Sequence, residues 1–185
     1  MSDTTTRTDA GRLSAGLKTG LTLLAGAALM TLAAKTQLPF WPVPMTLHTL
    51  AVMGFAVLLG PRLAAGIVLT YLAAGAAGLP VFSGSPERGI GLAYMAGPTG
   101  GYLLGYLIAA WLVGSLAQGR RMAGRIGAML AGLLPIYGVG LAWLAVFLPA
   151  DRLLPLGVAP FLLGDLIKIG VVAAGAALLP RAGLR

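Results

Sequence analysis

Near its C-terminal end the sequence reads PFLLGDLIKIGVVAAGAALL (residues 160–179), an apolar run that contains two charged residues, Asp165 and Lys168. A helix needs about 20 such residues to cross the hydrocarbon core of a bilayer. An ionised side chain at that depth is costly unless it faces the protein interior or pairs with another group. At positions i and i+3 of a helix the two side chains point the same way. The run therefore predicts a transmembrane helix that directs a carboxylate and an ammonium toward one place.

This charged pair has two interpretations. In the first, Asp165 and Lys168 form a self-satisfied ion pair that only pins two helices together. In the second, the carboxylate acceptor and the ammonium donor line a small cavity and bind a polar small molecule. Both interpretations require a membrane protein with a polar interior.

The composition supports a membrane protein. Hydrophobic residues make up 58% of the chain and charged residues 10%, with a mean hydropathy of +0.90. A soluble domain carries about 25% charged residues. The 28 glycines suit helices that pack closely within a membrane. With no cysteine, the chain has no disulfide, thiolate metal site or thiol nucleophile.

Hydropathy divides the chain into a polar start and a series of apolar segments. We predict an all-α bundle of six transmembrane helices within residues 17–180, between cytoplasmic tails at residues 1–16 and 181–185. A cleaved signal peptide is the alternative for the first segment. The predicted spans lie at residues 17–36, 46–60, 63–79, 99–118, 126–148 and 159–179.

Basic residues collect at alternate junctions between these segments. Cytoplasmic loops of membrane proteins are enriched in Lys and Arg, so the pattern predicts that both termini are cytoplasmic. It explains the net charge of +8 as topology, without nucleic acid as a partner. The same side chains are candidates for contact with anionic membrane lipid. They are Arg7, Arg12, Lys18, Arg62, Arg120, Arg121, Arg125, Arg181 and Arg185.

The loops predicted on the outer side have a different chemistry. Residues 37–46, QLPFWPVPMT, contain three prolines, which forbid a regular helix. Residues 80–98 form the longest polar connection, and long loops in compact domains are often lids or binding loops. Irregular backbone at membrane depth is tolerated where protein buries it or where it lines a cavity. We therefore predict a binding site in the outer half of the bundle.

Catalytic motifs are absent from the sequence. It has no HExxH zinc motif and no Gly-x-Ser-x-Gly nucleophile elbow. The Gly-rich segment at residues 97–102 lacks the Gly-Lys-Ser/Thr ending that binds nucleotide phosphates. One histidine, His48, and five acidic residues offer no cluster for a metal. We predict that the chain is not an enzyme, has no ATPase activity, and uses neither a metal nor a cofactor.

Five short motifs, in this order and spacing, give the sequence a resemblance to a known family. The sequence resembles the BioY family, the biotin-binding S component of energy-coupling factor (ECF) transporters, over residues 36–172. The motifs are PVPMTLHTL (42–50), LGPR (59–62), GAAGLPVF (75–82), GPTGGYLLG (97–105) and PFLLGDLIK (160–168).

The resemblance implies a six-helix subunit of the cell membrane that captures biotin from outside as its transported ligand. It also implies partners, namely a transmembrane T protein and two cytoplasmic ATPases that supply the energy. Three alternatives stay open. They are an S component for another vitamin, a self-sufficient carrier or channel, and a structural membrane subunit without a ligand.

Matched position by position, Asp165 and Lys168 correspond to the family's acidic and basic binding residues in the last span, and Arg88 and Tyr94 resemble its other polar contacts. The chemistry of biotin agrees with these residue types. Its ureido ring offers two N–H donors to Asp165 and a carbonyl acceptor to Lys168, through charge-assisted hydrogen bonds. The planar guanidinium of Arg88 suits the valerate carboxylate.

The remaining candidates are less specific. Phe40, Trp41, Tyr94 and Tyr102 are expected to pack on the thiophane ring and aliphatic tail, or else to anchor the chain at the membrane interface. Thr46 is expected to be a ligand donor or a helix N-cap.

Two positions depart from the family pattern. His48 stands where the family is expected to carry Gln, and we interpret it as a structural or cavity-edge residue, not as a metal ligand. The first span is expected to dock on the T protein through an Ala-x-x-x-Ala face. Its nearest equivalent is Ala27-x-x-x-Thr31, with Gly16-x-x-x-Gly20 one further candidate.

Overall fold

The structure is a computed structural model that describes residues 3–38 and 42–178 of the chain, with side chains from residue 16 onward apart from Leu38. It is helical, with one two-stranded antiparallel sheet among the described residues. The elements are α1 (Asp3–Lys35), β1 (Gln37–Leu38), β2 (Met45–Thr46), α2 (His48–Ala76), α3 (Gly91–Met95), α4 (Gly100–Ala117), α5 (Met122–Leu144), α6 (Ala150–Gly157) and α7 (Ala159–Leu178).

Five helical stretches in the described part of the chain are long and apolar enough to cross a bilayer. Together they cover most of each of the six apolar segments predicted from hydropathy, because His48–Ala76 spans most of both the second and the third. The predicted helical membrane bundle is therefore confirmed at the level of its apolar helices. The stretches are Gly16–Lys35, His48–Ala76, Gly100–Ala117, Met122–Leu144 and Ala150–Leu178.

Helix α2 is broken at Gly60, whose backbone is non-helical at φ 79° and ψ 177°. On one continuous helix, residues 23 positions apart would be separated by about 34 Å. In the structure the ring of His48 and the hydroxyl of Tyr71, 23 positions apart, are 2.9 Å from each other. The chain therefore reverses at Gly60, and the two halves of α2 lie side by side. Pro61 suits the first position of the second half. Proline has no backbone N–H, and at the first position of a helix that group has no acceptor within the helix.

Three details differ from the expectations. Helix α1 begins at Asp3, so residues 3–16, predicted as a polar tail, continue the first helix; no proline interrupts this segment. The all-α prediction is wrong for the loop after α1, where β1 and β2 pair with Gln37 opposite Thr46. The prolines of this loop prevent a helix, and pairing of the flanking residues satisfies their backbone groups. Short helices α3 and α6 lie within predicted loops.

Helix α4 packs closely against both α5 and the α2 turn. A Cβ added to Gly105 would lie 2.7 Å from the Cα of Ile136, and one added to Gly114 would lie 2.5 Å from the backbone nitrogen of Pro61. Glycine permits these backbone approaches, which is the usual way that membrane helices pack. Many large apolar side chains point outward instead, among them Leu17, Leu24, Trp111 and Leu134. An exposed apolar surface of this extent is typical of contact with a membrane or with another protein.

Candidate functional site

Asp165 and Lys168 form an ion pair on α7 that faces the interior of the bundle. The ammonium of Lys168 donates to Oδ1 of Asp165 over 2.8 Å. Asp165 is 3% exposed, and the side chain of Lys168 is 16% exposed. Both charged groups therefore lie away from lipid. Their mutual attraction offsets part of the free energy that each loses on leaving water.

Other elements supply the remaining partners of this pair. The hydroxyl of Tyr137, on α5, donates to Oδ2 of Asp165 over 2.7 Å. The ammonium of Lys168 also donates to the backbone carbonyl of Thr46, in β2, over 2.8 Å. The pair thus joins α5 and α7 to the loop that follows α1.

A small cavity borders the pair. Its volume is ≈ 20 Å³, which is room for about one water molecule. One wall belongs to the loop between α1 and α2, and the others to α2, α4, α5 and α7. The lining residues are Val43, Pro44, Thr46, Thr49, Tyr102, Tyr106, Ile136, Tyr137, Phe161, Asp165 and Lys168.

The two predicted outer loops are held together by polar contacts. The ammonium of Lys35 donates to the backbone carbonyl of Ser85 and, over 3.0 Å, to the hydroxyl of the same residue. Ser83 donates to the side-chain carbonyl of Gln37. Arg88 donates to the carbonyl of Pro42 over 3.3 Å. The loop of residues 80–98 therefore braces the loop that forms one wall of the cavity.

A comparison with known proteins places this architecture. The sequence profile of the BioY family matches residues 6–184.

The chain belongs to the BioY family.

Individual relatives agree with this assignment. The chain is 38% identical over 141 residues to the probable biotin transporter BioY of Pyrococcus horikoshii, covering 76% of this chain and 83% of that protein. It is 39% identical over 148 residues to the biotin transporter BioY of Thermotoga maritima, covering 79% and 86%. It also resembles the crystal structure of an S component for biotin from an ECF-type ABC transporter, with a TM-score of 0.74, 26% identity, and coverage of 88% and 90%. The resemblance drawn from the five motifs is confirmed.

Among the predicted site residues of this BioY member, the structure brings four to the cavity. Asp165, Lys168, Thr46 and Tyr102 all line it. The hydroxyl of Tyr102 donates its hydrogen to the carbonyl of Gly157 over 2.9 Å, so it has no further hydrogen to donate to a ligand.

Arg88 and Tyr94 lie in the second outer loop and do not line the cavity. Arg88 is exposed. Tyr94 is buried, stacks on Phe82 with ring centroids 4.8 Å apart, and donates to the carbonyl of Ser83 over 2.8 Å. Burial raises the pKa of Tyr94, so the phenol stays protonated and keeps this bond. The structure gives Tyr94 a role inside the loop, while Phe40 and Trp41 lie outside the described residues.

Sequence reasoning missed Tyr137, Tyr106, Thr49 and Phe161. All four sit in apolar helices, where a hydroxyl or an aromatic ring is common and gives no sign of the direction in which it points. Tyr102 and Tyr106 are four positions apart, which places them near one face of α4. In a helix so rich in small residues, this spacing does not say which face lines a cavity.

The proposed docking residues lie on α1. Ala27 is 9% exposed and belongs to the core, and the hydroxyl of Thr31 donates to the carbonyl of Ala27 over 2.9 Å. Space around Gly16 and Gly20 is open, with no atom within 4 Å of an added Cβ. Because Ala27 is buried, its side chain packs inward. Docking through Ala27 and Thr31 stays a prediction.

His48 is buried beside the cavity, with the hydroxyls of Thr46 and Tyr71 at its two ring nitrogens. Among the described residues no three His, Cys, Asp or Glu side chains come together as a group that would hold a metal ion. The contacts of His48 are those of a structural residue at the cavity edge.

Proposed function

We propose that this chain is the biotin-binding S component of an ECF transporter, a multi-pass protein of the cell membrane that mediates biotin uptake. The observation that carries the proposal is the buried Asp165–Lys168 pair beside a cavity. An ion pair that served only to join two helices would need no space next to its head groups. Family membership and the five apolar stretches support the membrane location.

The ureido ring of biotin matches this pair. The carboxylate of Asp165 accepts from the ring N–H groups, while the ammonium of Lys168 donates to the ring carbonyl. Each charge-assisted bond contributes about 1.5–3 kcal/mol. The ring carbonyl accepts from the third N–H of the Lys168 ammonium, whose other two partners among the described residues are Asp165 and the Thr46 carbonyl. Tyr102 and the other aromatic side chains of the cavity pack on the apolar part of the ligand.

The loop between α1 and α2 has to move for biotin to enter, because a cavity of ≈ 20 Å³ holds no ligand of this size. Val43 and Pro44, which line the cavity just ahead of Thr46, form the part of the wall that shifts. Their displacement frees Arg88 from the carbonyl of Pro42, to which it now donates. The guanidinium then meets the valerate carboxylate at the entrance, with Tyr94, Phe40 and Trp41 as further contacts in the same outer loops.

The topology we propose has six crossings with both termini in the cytoplasm. The reversal at Gly60 supports two crossings from the single helical stretch His48–Ala76. The basic residues at the α4–α5 junction support a cytoplasmic location for that end. Residues 17–180 form the binding domain, between the tails 1–16 and 181–185.

Uptake is energised by partner subunits in this proposal. The chain carries no phosphate-binding motif of its own, so a T protein, docked near Ala27 and Thr31 on α1, and two cytoplasmic ATPases supply the energy. The chain is not an enzyme and needs no cofactor beyond its transported ligand. Biotin uptake by proteoliposomes that contain this chain alone would contradict this part of the proposal.

Replacement of Lys168 tests the binding assignment. Lys168→Ala is expected to weaken biotin binding well over tenfold, since it removes a charge-assisted bond and leaves Asp165 without its counter-ion. Calorimetric titration of the detergent-solubilised protein measures the affinity, and thermal unfolding checks the fold. Lys18→Ala, which removes an exposed lysine of α1, is the control and should bind normally. Unchanged affinity of Lys168→Ala would refute the ureido assignment.

A panel of vitamins in a thermal-shift assay tests the ligand itself. Biotin is expected to raise the unfolding temperature more than any other vitamin, because ligand binding to the folded state stabilises it by mass action. Stabilisation by a different vitamin would keep the architecture and reassign the ligand. Stabilisation by none would favour a purely structural subunit.

A further inference from the structure

His48 lies at the centre of a chain of hydrogen bonds that ends at the candidate site. It is the only histidine of the sequence and is 4% exposed. Its Nδ1 is 2.7 Å from the hydroxyl of Thr46, and its Nε2 is 2.9 Å from the hydroxyl of Tyr71. A neutral imidazole has one donor and one acceptor nitrogen, so both are satisfied.

The neighbouring contacts favour one direction for these bonds. The Thr46 hydroxyl oxygen accepts from the backbone N–H of His48 over 3.3 Å, which leaves its own hydrogen for Nδ1. The Nε2–H then donates to the oxygen of Tyr71, whose hydrogen points to the carbonyl of Val81, 3.4 Å away. With this tautomer every donor in the chain has an acceptor.

Thr46 connects this chain to the charged pair. Its side chain binds His48, and its backbone carbonyl accepts from the Lys168 ammonium. The two bonds come from the same residue, so a shift of the Thr46 side chain also shifts the carbonyl that now holds Lys168. The His48 ring also stacks on Tyr106, a cavity-lining residue, with centroids 5.2 Å apart and planes inclined by 22°.

We propose that His48 is a positioning residue for the ligand site, which holds Thr46 and Tyr106 so that the Lys168 ammonium faces the cavity in the direction of a cyclic urea carbonyl. The inference rests on the proposed function, because it concerns how the biotin site is held. Tyr71 anchors the far side of the ring. A histidine that only joined the two halves of α2 would affect stability and leave the ligand geometry unchanged.

His48→Phe tests this role, because it keeps a ring for stacking on Tyr106 and removes both hydrogen bonds. We expect biotin affinity to fall about five- to tenfold, the effect of losing one to two net hydrogen bonds. His48→Gln carries both a donor and an acceptor and should stay within about twofold of the wild type. Thr70→Val is the control, since the Thr70 hydroxyl binds only the carbonyl of Gly66 among the described residues, one position from Tyr71; it should bind biotin normally.

Tyr71→Phe provides a second, gentler variant that removes a single hydroxyl. It is expected to weaken biotin binding about two- to fivefold. In combination with His48→Phe it should add nothing, because both changes break the same chain. Fully additive losses would overturn the inference.

A double-variant cycle with Lys168→Ala separates positioning from structural support. If His48 acts through Lys168, His48→Phe costs no further affinity in the Lys168→Ala background. An equal fold-loss in both backgrounds, with a matching drop in unfolding temperature, would assign His48 a structural role only. Wild-type affinity of His48→Phe, in a chain that binds biotin, overturns this inference alone. Failure of the wild-type chain to bind biotin overturns the proposed function as well.

Discussion

At the scale of single residues, the site depends on a charged pair that has spare capacity for hydrogen bonding. An ammonium has three N–H donors, and two of those on Lys168 have partners among the described residues, Asp165 and Thr46. The third remains for the cavity. A buried ion pair is weak support for stability, because desolvation cancels most of its attraction. Its position beside a void is therefore better explained by a ligand than by the scaffold.

Tyr137 is expected to contribute to this site through Asp165. Tyr137→Phe removes the bond to Oδ2 and leaves the carboxylate free to rotate away from the ureido N–H groups. Hydrogen bonds to charged groups contribute about 1.5–3 kcal/mol, so we expect affinity for biotin to fall about tenfold in calorimetric titration. Ser115→Ala is the control, since its hydroxyl binds the carbonyl of Trp111 on the exposed side of α4. Equal affinity of Tyr137→Phe and wild type would contradict this role.

Arg88 is expected to recognise the carboxylate tail of biotin. Arg88→Ala should therefore weaken the binding of free biotin more than that of a tail-amidated analogue, which lacks the negative charge. The comparison of the two dissociation constants is the measurement. Arg152→Ala is a matched control, because Arg152 is exposed and pairs only weakly with Asp151 at 3.7 Å. Equal losses for both ligands would instead assign Arg88 to the loop contact with Pro42.

The charged pair could be predicted from sequence, and Tyr137 could not. A charge in an apolar run is costly wherever the helix lies, so the residue types of Asp165 and Lys168 are enough to mark an interior face of α7. A tyrosine in such a run is tolerated on any face, and only the packing of α5 on α7 reveals that Tyr137 points at Asp165. Arg88 illustrates the reverse case, since its type suits the ligand and the structure places it outside the cavity.

At the scale of elements, the decisive feature is the turn inside α2. Gly60 adopts φ 79° and ψ 177°, a region that is essentially restricted to glycine. A Cβ at this position would also lie 2.2 Å from the side-chain nitrogen of Gln118. The turn therefore requires glycine for its backbone angles, whereas the Gln118 amide, at the end of a flexible side chain, has only to move aside for an added Cβ.

Gly60→Ala is expected to destabilise the protein by about 1–3 kcal/mol, the usual cost of such strained backbone. Thermal unfolding in detergent measures the effect. Gly54→Ala in the first half of α2 is the matched control, because its added Cβ meets no atom within 4 Å. Alanine is a better helix former than glycine, so the control should be neutral or slightly stabilising. Equal stability of the two variants would contradict the requirement for glycine at the turn.

The strands β1 and β2 show where local reasoning about elements ends. The prolines of residues 37–46 argued against a helix, and residues 37–38 and 42–46, the described part of this range, are not helical. They did not predict that Gln37 pairs with Thr46. That register depends on how the second outer loop, through Ser83, holds Gln37. That register sets the Thr46 carbonyl against Lys168.

At the scale of the whole molecule, the topology that we propose rests on the distribution of positive charge. The loop between α4 and α5 carries Arg120 and Arg121, and the loop of residues 80–98 carries one cation next to an acidic residue. Basic residues favour the cytoplasmic side. The proposed arrangement therefore places residues 118–122 inside the cell and residues 80–98 outside.

Single cysteines test this arrangement, because the chain has none of its own. Glu87→Cys is expected to react with a membrane-impermeant maleimide in intact spheroplasts, whereas Arg121→Cys should react only after permeabilisation. Both positions are exposed in the structure, so the difference reports on the side of the membrane. The unsubstituted chain is the control for background labelling. The opposite pattern would invert the proposed topology.

The sequence by itself determined the class of protein, the positions of the apolar helices and the charged pair on α7. These properties follow from local free energies of transfer. Entry into the bilayer core is favourable for an apolar segment and unfavourable for a charged side chain, whatever the rest of the fold. The five motifs added the family, which the comparisons confirmed.

Only the tertiary structure decided which side chains surround the pair. Thr46 lies 122 positions from Lys168, and Tyr137 lies 28 positions from Asp165. Contacts over such separations depend on how the helices pack and where the chain reverses, and no local pattern encodes either. The same holds for His48 and Tyr71, which meet because a glycine between them turns one apolar stretch back on itself.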